Sequence, residues 1–527
     1  MQKVLKRIVA WIGIILLGIV IILNLMYNVK LNVSEILEIK DNVIWLSLIY
    51  IMCAYDIYMV IKLLYHKYRA KDFTDKKSKI LKRVICIFLI FIYIIGQIIW
   101  INQRDAIPSV DQKTAYQLAV AMKNNNVNEF LDTQTTYGSK ISDRIYMQCY
   151  SHQFTLSFVW SVLFRICGTE DYILIEYINA ICNAITIIAI YLICTQLSKK
   201  YKVNKFQGLF IMGTFIALPL FSIFIYGDLS AIAFGYLSVY FLMKYRENRK
   251  KYNAGISGVC IALAYMFRMN SLIFIIAECI YLLLDLLEKT TIKETISKIV
   301  VLIVFAIIAI MPATMVKNYC VKKYHLDSNK VFPMSGYLYM GMTKGFAGQG
   351  WYNYETASKS FVDTNEANIQ YRQDIKNRIN EFRNNPLIMF EFYRDKITSI
   401  WAEPTCGGIY YNYSFNFLGY LDIDELDYII YGLSPYIARY EKVLLILIFG
   451  CSILVVYQKR KDMSLDLALL LIIFIGGFLF HLLWEAKSRY ILPYIIAIIP
   501  IASIEIETIF KKKKKMSDGL EKTRTDF

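Results

Sequence analysis

The chain repeatedly returns to runs of about 20 predominantly apolar residues, the length that an α-helix needs to cross the hydrocarbon layer of a membrane. About twelve such runs can be delimited by length and hydropathy. They lie at residues 8–27, 43–65, 84–102, 173–196, 208–225, 229–243, 254–269, 271–287, 299–316, 441–457, 465–483 and 490–509. The pattern predicts an all-α polytopic membrane protein with about twelve transmembrane helices.

The composition supports this class. Hydrophobic residues make up 57% of the 527 residues and aromatic residues 15%, and the mean hydropathy is +0.42, which is too apolar for a soluble globular protein. The net charge of +17 is distributed over short loops between apolar runs. Nucleic-acid binding would need these cations on one soluble surface, so a nucleic-acid partner is not predicted.

The distribution of Lys and Arg predicts the orientation, because positive residues accumulate in cytoplasmic loops. The basic segments alternate with apolar runs so that both termini lie in the cytoplasm and the long segments 103–172 and 317–440 lie outside. The resulting units are an N-terminal transmembrane hairpin with a basic loop, a transmembrane core that includes the first outer loop, an outer loop domain, C-terminal transmembrane helices and a basic tail. Their boundaries are 1–83, 84–316, 317–440, 441–510 and 511–527.

The segment 152–168 is apolar enough to suggest a further span. Its apolar stretch is only about 14 residues long, which is typical of an interfacial or re-entrant helix. A span here would also move the Lys-rich loop at 198–206 to the outside. We therefore expect an outer-face interfacial helix, with a thirteenth transmembrane helix as the alternative.

The outer segment 317–440 alternates Gly- and aromatic-rich stretches with an amphipathic charged stretch. Its length of about 120 residues suits a small mixed α/β or irregular lid over the membrane domain. Aromatic faces with polar rims suit sugar stacking, and they suit ordinary packing on a membrane surface equally well.

Several charged residues adjoin apolar runs on the predicted outer face. Asp111 heads the amphipathic stretch that follows the third run, where it could be a helix N-cap or meet a lipid headgroup. Asp228 lies in a short Gly-Asp turn between two runs, which turn geometry alone also explains. Arg268 interrupts another pair of runs.

A second group of charges, Glu485, Lys487 and Arg489, separates the last two runs. Charges beside a membrane span are costly and therefore suggest function. Two structural alternatives remain: the cations could anchor the chain at the interface by snorkelling, and Glu485 with Arg489 could form an ordinary i,i+4 surface pair on a helix. His481 is expected to be a hydrogen-bonded packing residue.

The ordered set of motifs resembles the integral-membrane glycosyltransferases of the C-type (GT-C) fold, the superfamily of protein O-mannosyltransferases and the lipid A aminoarabinose transferase. The resemblance is strongest to bacterial family 39-like enzymes and covers roughly residues 84–510. The matching stretches are SVDQ with Asp111, YSHQ at 150–153, YGD at 226–228, LAYMFRMNSLI at 263–273, NPLIMFEFYRDKITSIWAEPT at 385–405 and FHLLWEAKSRYILPY at 480–494.

The resemblance implies a GT-C fold and transfer of a sugar from a polyprenyl-phosphate donor to an outer-face glycan, lipid or protein acceptor, with inversion, in cell-envelope glycan or glycolipid assembly. Asp111 would be the catalytic base. The cations would bind the donor phosphate, and further residues would bind the substrates. The expected phosphate ligands are Lys487, Arg489 and Arg268; the expected substrate-binding residues are Asp228, Tyr150, His152, Gln153, Trp484 and Glu485.

Many relatives have an acidic pair where SVDQ has a single Asp, so no metal site is predicted and a divalent cation stays an open alternative. Two other classes remain as alternatives for the whole protein. One is a secondary transporter or lipid flippase, and the other is a noncatalytic polymer-assembly protein of the same membrane fold. A transporter usually carries polar residues near the bilayer midplane on broken helices, whereas here they collect at one face.

Overall fold

The structure, a computed structural model, describes residues 1–70, 76–132, 142–288, 290–359, 363–413 and 423–506. The predicted basic tail 511–527 lies outside the described residues. Within them the chain is almost entirely helical, and its one sheet is a two-stranded hairpin.

The N-terminal part contains three long helices and the hairpin: α1 Gln2–Met26, β1 Tyr27–Leu31, β2 Leu37–Asp41, α2 Ile44–Ala70 and α3 Lys76–Arg104. The strands pair antiparallel, with Tyr27 opposite Asp41 and Leu31 opposite Leu37. The hairpin therefore closes directly onto the ends of α1 and α2. The sequence analysis did not predict these strands, because the loop is short and carries no strong turn signal.

The middle of the chain begins with four helices that precede the core: α4 Val110–Asn124, α5 Val127–Asp132, α6 Asp143–Cys149 and α7 Gln153–Cys167. The core helices follow: α8 Ile173–Leu197, α9 Lys205–Thr214, α10 Ala217–Leu220, α11 Asp228–Asn248, α12 Lys251–Phe267, α13 Leu272–Leu286 and α14 Ile292–Lys323.

The remaining helices are α15 Met334–Met340, α16 Tyr354–Ser358, α17 Thr364–Asn384, α18 Pro386–Trp401, α19 Glu425–Lys459, α20 Leu465–Leu483 and α21 Leu492–Ala502. The described part of 317–440 therefore consists of helices and irregular loops, with one isolated bridge between Lys344 and Gln349. It contains no regular strand, so the irregular alternative for the lid holds rather than the mixed α/β one.

Among the described residues, nine helices are long and apolar enough to cross a membrane. The other three predicted spans are also helices, α11, α12 and α21, which are shorter or less apolar than these nine. The prediction of an all-α polytopic membrane protein is confirmed. Of these three, α11 and α12 gave the weakest sequence signals, and both are largely buried within the bundle.

The helix α7 is 15 residues long, which corresponds to about 22 Å at the α-helical rise. That is shorter than the hydrocarbon layer of about 30 Å. Trp160 and Phe164 are buried on its inner face, and Ser157 Oγ donates a hydrogen bond to the Ala115 carbonyl of α4. A thirteenth span is therefore not favoured, and the interfacial orientation stays a prediction.

The bundle buries α20 and α21 most completely, with Leu467–Leu471 and Ile495–Ile499 at 0% exposure. The peripheral helices α2 and α14 expose Ile, Leu and Met side chains, as lipid-facing helices do. The broken connections α10–α11, α12–α13 and α20–α21 converge at one end of this core. That end carries the candidate site.

Candidate active site

Asp111 lies in the first turn of α4, whose N-cap is Ser109. The N-cap interpretation of Asp111 is therefore wrong, although a carboxylate in the first turn still interacts favourably with the helix dipole. Tyr146 Oη donates a hydrogen bond to Asp111 Oδ1 over 2.7 Å. This contact holds the carboxylate against α6.

Gln153 continues the hydrogen-bond chain across the site. Its Nε2 donates to Tyr146 Oη over 2.5 Å and to Tyr226 Oη over 2.8 Å. Asp111 on α4 is thereby connected to Tyr226, which lies just before the start of α11. Gln153 itself is buried, at 4% exposure. Three segments that are distant in sequence share one polar network.

The YGD turn depends on a glycine. Gly227 has φ +82°, and a Cβ built on it would lie 2.9 Å from the Phe267 carbonyl oxygen. Only a residue without a side chain lets this turn approach the end of α12 so closely. The approach places Asp228 Oδ1 3.4 Å from Arg268 Nε.

Arg268 and Arg489 meet at the ring of Tyr226. The Arg268 guanidinium carbon lies 4.4 Å from the ring centroid and the Arg489 carbon 5.4 Å from it. Arg489 also lies within cation–π distance of the rings of Phe224, Tyr411 and Tyr490, at 4.7, 5.4 and 5.2 Å. Aromatic faces thus hold both guanidinium groups in fixed positions.

The segment that carries the second charge group is not a regular helix. The helix α20 ends at Leu483, and a short 3₁₀ turn begins at Ser488, so Glu485 and Arg489 do not form an i,i+4 helix pair. Arg489 is 6% exposed, which also excludes an interfacial snorkelling role for it. Lys487 Nζ lies 3.6 Å from Glu35 Oε1 of the hairpin loop.

The predicted charged residues influence the pKa of the Glu485 carboxyl electrostatically. Burial raises the pKa of the Glu485 carboxyl, and the positive charges of Lys487, Arg489 and Arg268 lower it. The negative charge of Asp111 raises the pKa of Glu485 in turn. These influences agree with the contacts described above, in which Asp111 is linked to Tyr226 and both arginines lie against the Tyr226 ring.

His152 lies at the N-terminus of α7 with Tyr150 beside it, ring centroids 6.3 Å apart. Burial, and then the charge of Arg268, lower the pKa of His152 to about 4. His152 is neutral at physiological pH and can offer hydrogen bonds but no positive charge. Tyr150 stacks on Phe332 of the lid segment at 5.9 Å, so it joins the lid to the site.

Trp484 stacks on Phe480 at 5.0 Å and is half-buried. His481 is buried and stacks on Tyr490 at 5.4 Å. The buried, stacked ring agrees with the expected packing role. The expected hydrogen bonding is met only in part: Nδ1 lies 3.5 Å from the Glu485 carbonyl oxygen, and Nε2 has no partner among the described residues. The position of Trp484 beside Glu485 is compatible with substrate contact, which remains a prediction.

A buried lysine that the sequence analysis did not single out holds the segment after α20 in place. Lys396 of α18 is 0% exposed. Its Nζ donates hydrogen bonds to the carbonyl oxygens of Gly341, Leu482 and Trp484 over 2.6, 3.0 and 2.8 Å. Lys396 therefore fixes the end of α20 against the lid.

We expect Lys396→Met to lower the free energy of unfolding by about 2–5 kcal/mol, because one buried and two partly buried carbonyl oxygens would lose their donor. Any activity that depends on the segment 484–489 should fall as well, since that segment would lose its attachment. Thermal unfolding of the purified protein measures the first effect. Lys376→Met, at an exposed lysine of α17, is the matched control and should leave the melting temperature unchanged.

The loop that presents Tyr411 is anchored by Asn412. Trp100 Nε1 donates to Asn412 Oδ1 over 2.9 Å, and Arg104 Nε donates to its carbonyl over 2.6 Å. Arg104 also pairs with Asp427 over 2.7 Å. These buried contacts tie α3 to α19 and keep the Tyr411 ring against Arg489.

Two cavities open on this neighbourhood. A small one of about 30 Å³ is lined by Asp228, Arg268, Arg489 and Tyr494, among others. Among the described residues, Asp228 Oδ2, Arg489 Nε and Tyr494 Oη are buried polar atoms without a hydrogen-bond partner. Buried polar atoms usually have hydrogen-bond partners, so these three atoms can bind a polar ligand or water in the cavity.

The larger cavity, of about 310 Å³, lies between the hairpin loop and the lid. Its lining is mostly aromatic, with one cation and one carboxylate: Glu35, Phe346, Ala347, Trp351, Tyr352, Tyr354 and Lys487. In the part of the chain that the structure describes, no cluster of three or more His, Cys, Asp or Glu residues could hold a metal ion.

The sequence analysis missed Glu35, Tyr146, Tyr226 and Lys396. Tyr226 is part of the YGD motif, and a hydroxyl two residues before the predicted functional Asp228 was the available signal. Glu35 lies on a short loop whose proximity to Lys487 arises only from the tertiary fold. Lys396 lies in the matching stretch 385–405, but nothing in that stretch distinguishes it from a surface lysine.

The bundle and its charged end support a GT-C-type membrane glycosyltransferase, the class that the sequence resembles. Residues 151–314 match the family described as dolichyl-phosphate-mannose-protein mannosyltransferase. The matched part contains His152, Gln153, Asp228 and Arg268, and it ends before Lys487 and Arg489. The predicted resemblance is confirmed.

A search of curated proteins found no match. Among solved structures, the chain is similar to the archaeal oligosaccharyltransferase AglB from Archaeoglobus fulgidus in complex with an inhibitory peptide and a dolichol-phosphate, at 13% identity and a TM-score of 0.35. The similarity covers 78% of this chain and 51% of that one, so the chain spans about half the length of the matched structure.

Proposed function

We propose that this protein transfers a sugar from a polyprenyl-phosphate donor to an acceptor hydroxyl on the extracytoplasmic face of the membrane, with inversion at the anomeric carbon. The observation that carries the proposal is geometric: hydrogen bonds link Asp111 through Tyr146 and Gln153 to Tyr226. Arg268 and Arg489 both lie against the Tyr226 ring, and Lys487 precedes Arg489 in the same segment. The matched family is named for a lipid-phosphate sugar donor, which supports the same donor class here.

The cations suit a phosphate leaving group. When the bond between the anomeric carbon and the phosphate oxygen breaks, its electron pair stays on the phosphate, which gains negative charge. Preorganised cations at that position stabilise the transition state more than the ground state. Arg489 and Arg268 offer planar donors and Lys487 a point charge.

The carboxylate suits the attacking hydroxyl. The acceptor oxygen forms a bond to the anomeric carbon and must lose its proton, which Asp111 accepts. The hydrogen bond from Tyr146 orients the carboxylate. A phosphate leaving group requires no protonation by a second carboxylic acid, in contrast to glycoside hydrolysis. A single displacement of this kind inverts the anomeric centre.

The aromatic cavity suits the sugar. Trp351, Tyr352 and Tyr354 line it together with Lys487, and aromatic faces with nearby polar groups are suited to stacking on sugar rings. Its volume of about 310 Å³ is within the range of small-ligand sites. We infer that the lid segment binds the sugar between its aromatic side chains and the cations.

The sidedness of this site belongs to the proposal. The Lys- and Arg-rich loops predict cytoplasmic termini, and the site is at the end of the bundle where α1 ends and α2 begins, opposite the basic loops 198–206 and 244–251. We propose a role in cell-envelope glycan or glycolipid assembly, which an extracytoplasmic site would serve.

The test is turnover of a polyprenyl-phosphate sugar by the purified protein in lipid nanodiscs. We expect stoichiometric release of polyprenyl phosphate and glycosylated acceptor, detected by mass spectrometry, when acceptor extracts are supplied. Movement of the intact donor between leaflets without cleavage would instead support a flippase. Absence of both cleavage and movement would support a noncatalytic assembly protein.

A further inference from the structure

A third cavity, outside the residues assigned to sugar transfer, lies between the hairpin, α2, the loop 403–410 and α19. Its volume is about 380 Å³. The apolar part of its wall includes Leu46 and Tyr50 of α2 and Pro435 and Ala438 of α19. The cavity is thus framed by two predicted membrane helices and the strands that join α1 to α2.

The charges that line this cavity are predominantly positive. They are the cations Lys30, Lys40, Arg439 and Lys442 and the carboxylates Glu38 and Glu403. Both carboxylates have partners already. Glu38 lies 3.1 Å from Lys40, and Glu403 accepts hydrogen bonds from Thr405 and from the Gly407 amide.

The cations are arranged at two depths. Lys442 is 2% exposed, and its Nζ donates hydrogen bonds to Asn28 Oδ1 over 2.8 Å and to the Tyr27 carbonyl. Lys30, Lys40 and Arg439 are exposed at the rim. Three exposed cations above a buried lysine make the entrance of the cavity electrostatically favourable for an anion.

The exposed residues around the opening indicate that the cavity opens toward lipid. Trp45 and Ile49 on α2 are 74% and 52% exposed, and Tyr436 on α19 is 68% exposed. The strands follow directly on the last residue of α1, so the rim stands where apolar helix gives way to polar chain. This is the depth of lipid headgroups, where aromatic residues also concentrate.

We propose that this cavity binds the phosphate headgroup of an anionic membrane lipid, with the phosphate between the rim cations and the first part of the lipid tail against Leu46, Tyr50 and Ala438. A soluble anion would gain only from the charges. A lipid gains from both the charges and the apolar wall, and the wall opens toward the bilayer. The inference requires no assumption about sugar transfer.

The bound lipid would be adjacent to the transfer site. Tyr410 lines the cavity, and its neighbour Tyr411 packs on Arg489 and on Phe224, the latter with ring centroids 4.4 Å apart. Gly407 links the two sides, since a Cβ there would lie 3.0 Å from Ser488 Oγ. The loop 403–411 therefore forms a wall between the two sites.

The test is titration of delipidated, detergent-purified protein with phosphatidylglycerol, followed by native mass spectrometry. The variant Lys30→Gln/Lys40→Gln/Arg439→Gln removes the rim charges, and each surface cation contributes roughly fivefold to anionic-lipid binding. We expect at least a tenfold weaker affinity. Lys250→Gln/Lys251→Gln/Lys293→Gln, at exposed lysines at the starts of α12 and α14, removes the same charge elsewhere and should bind like wild type.

A second variant tests the cavity itself. Ala438→Trp fills the space without changing any charge and should weaken phosphatidylglycerol binding as well. Phosphatidylcholine should bind weakly to wild type, and inorganic phosphate at the same concentration should not displace the lipid. Equal binding by wild type and the triple rim variant would overturn the proposal, as would displacement by inorganic phosphate.

Discussion

Asp111→Asn is expected to lower the rate of sugar transfer by about 10²–10⁴-fold, the usual contribution of a general base. The amide has nearly the same shape and its Oδ1 can still accept the hydrogen bond from Tyr146, so the fold should be retained. It cannot accept a proton from the attacking hydroxyl. The measurement is initial rate of acceptor glycosylation at saturating donor.

The matched control is Asp132→Asn. Asp132 lies on α5 in the same part of the chain, and its side chain is 68% exposed and paired with Arg144. This variant should keep wild-type activity, and both variants should have wild-type melting temperatures. Retention of more than a third of the activity by Asp111→Asn would remove Asp111 from the catalytic role and leave the cations as the remaining functional group.

The fold could largely be predicted because membrane spans are selected by length and hydropathy, which a single sequence displays. The runs at 8–27 and 465–483 correspond to α1 and α20 within a few residues at most boundaries. The sequence was less informative for α19, which begins at Glu425 rather than near 441. Its first turns contain charged residues and Pro435, so the apolar run that marks a span begins only near 441 and the preceding turns were assigned to the outer segment.

The site could be predicted as a set of residue types but not as a geometry. Asp111, Arg268 and Arg489 were identified because charges beside apolar runs are costly. The partners that position them, Tyr146 and Tyr226, are two of 41 tyrosines, and their hydrogen bonds depend on how α4, α6 and α7 pack. The bonds from Tyr146 to Asp111 and from Gln153 to Tyr226 join residues 35 and 73 positions apart, and contacts at such separations leave no local signal.

The alternatives that the sequence left open were decided by burial and helix ends. The position of Arg489 next to an apolar run was equally consistent with an interfacial anchor. In the structure, however, aromatic rings enclose its guanidinium. Glu485 could have been its helical partner, yet α20 ends two residues earlier. Both outcomes follow from the non-helical segment between α20 and α21, whose position hydropathy alone gives only approximately.

Arg489→Met should lower the rate constant for transfer by about 10²–10³-fold, because removal of one preorganised donor to a developing oxyanion typically has this effect. Arg489→Lys should be intermediate, since it keeps the charge but loses the planar fork and part of the stacking. Binding of the leaving group reports on the same contact: inhibition by added polyprenyl phosphate should require a higher concentration in Arg489→Met than in wild type.

A structural role for Arg489 predicts a different outcome. Four aromatic rings surround its guanidinium, so loss of packing alone would lower the melting temperature, and Arg489→Met would then lose activity in proportion to unfolding. Arg394→Met, at a partly exposed arginine paired with Asp395, controls for the loss of one guanidinium nearby. If Arg489→Met is folded and retains both its transfer rate and its sensitivity to polyprenyl phosphate, Arg489 does not bind the phosphate and has no part in the chemistry.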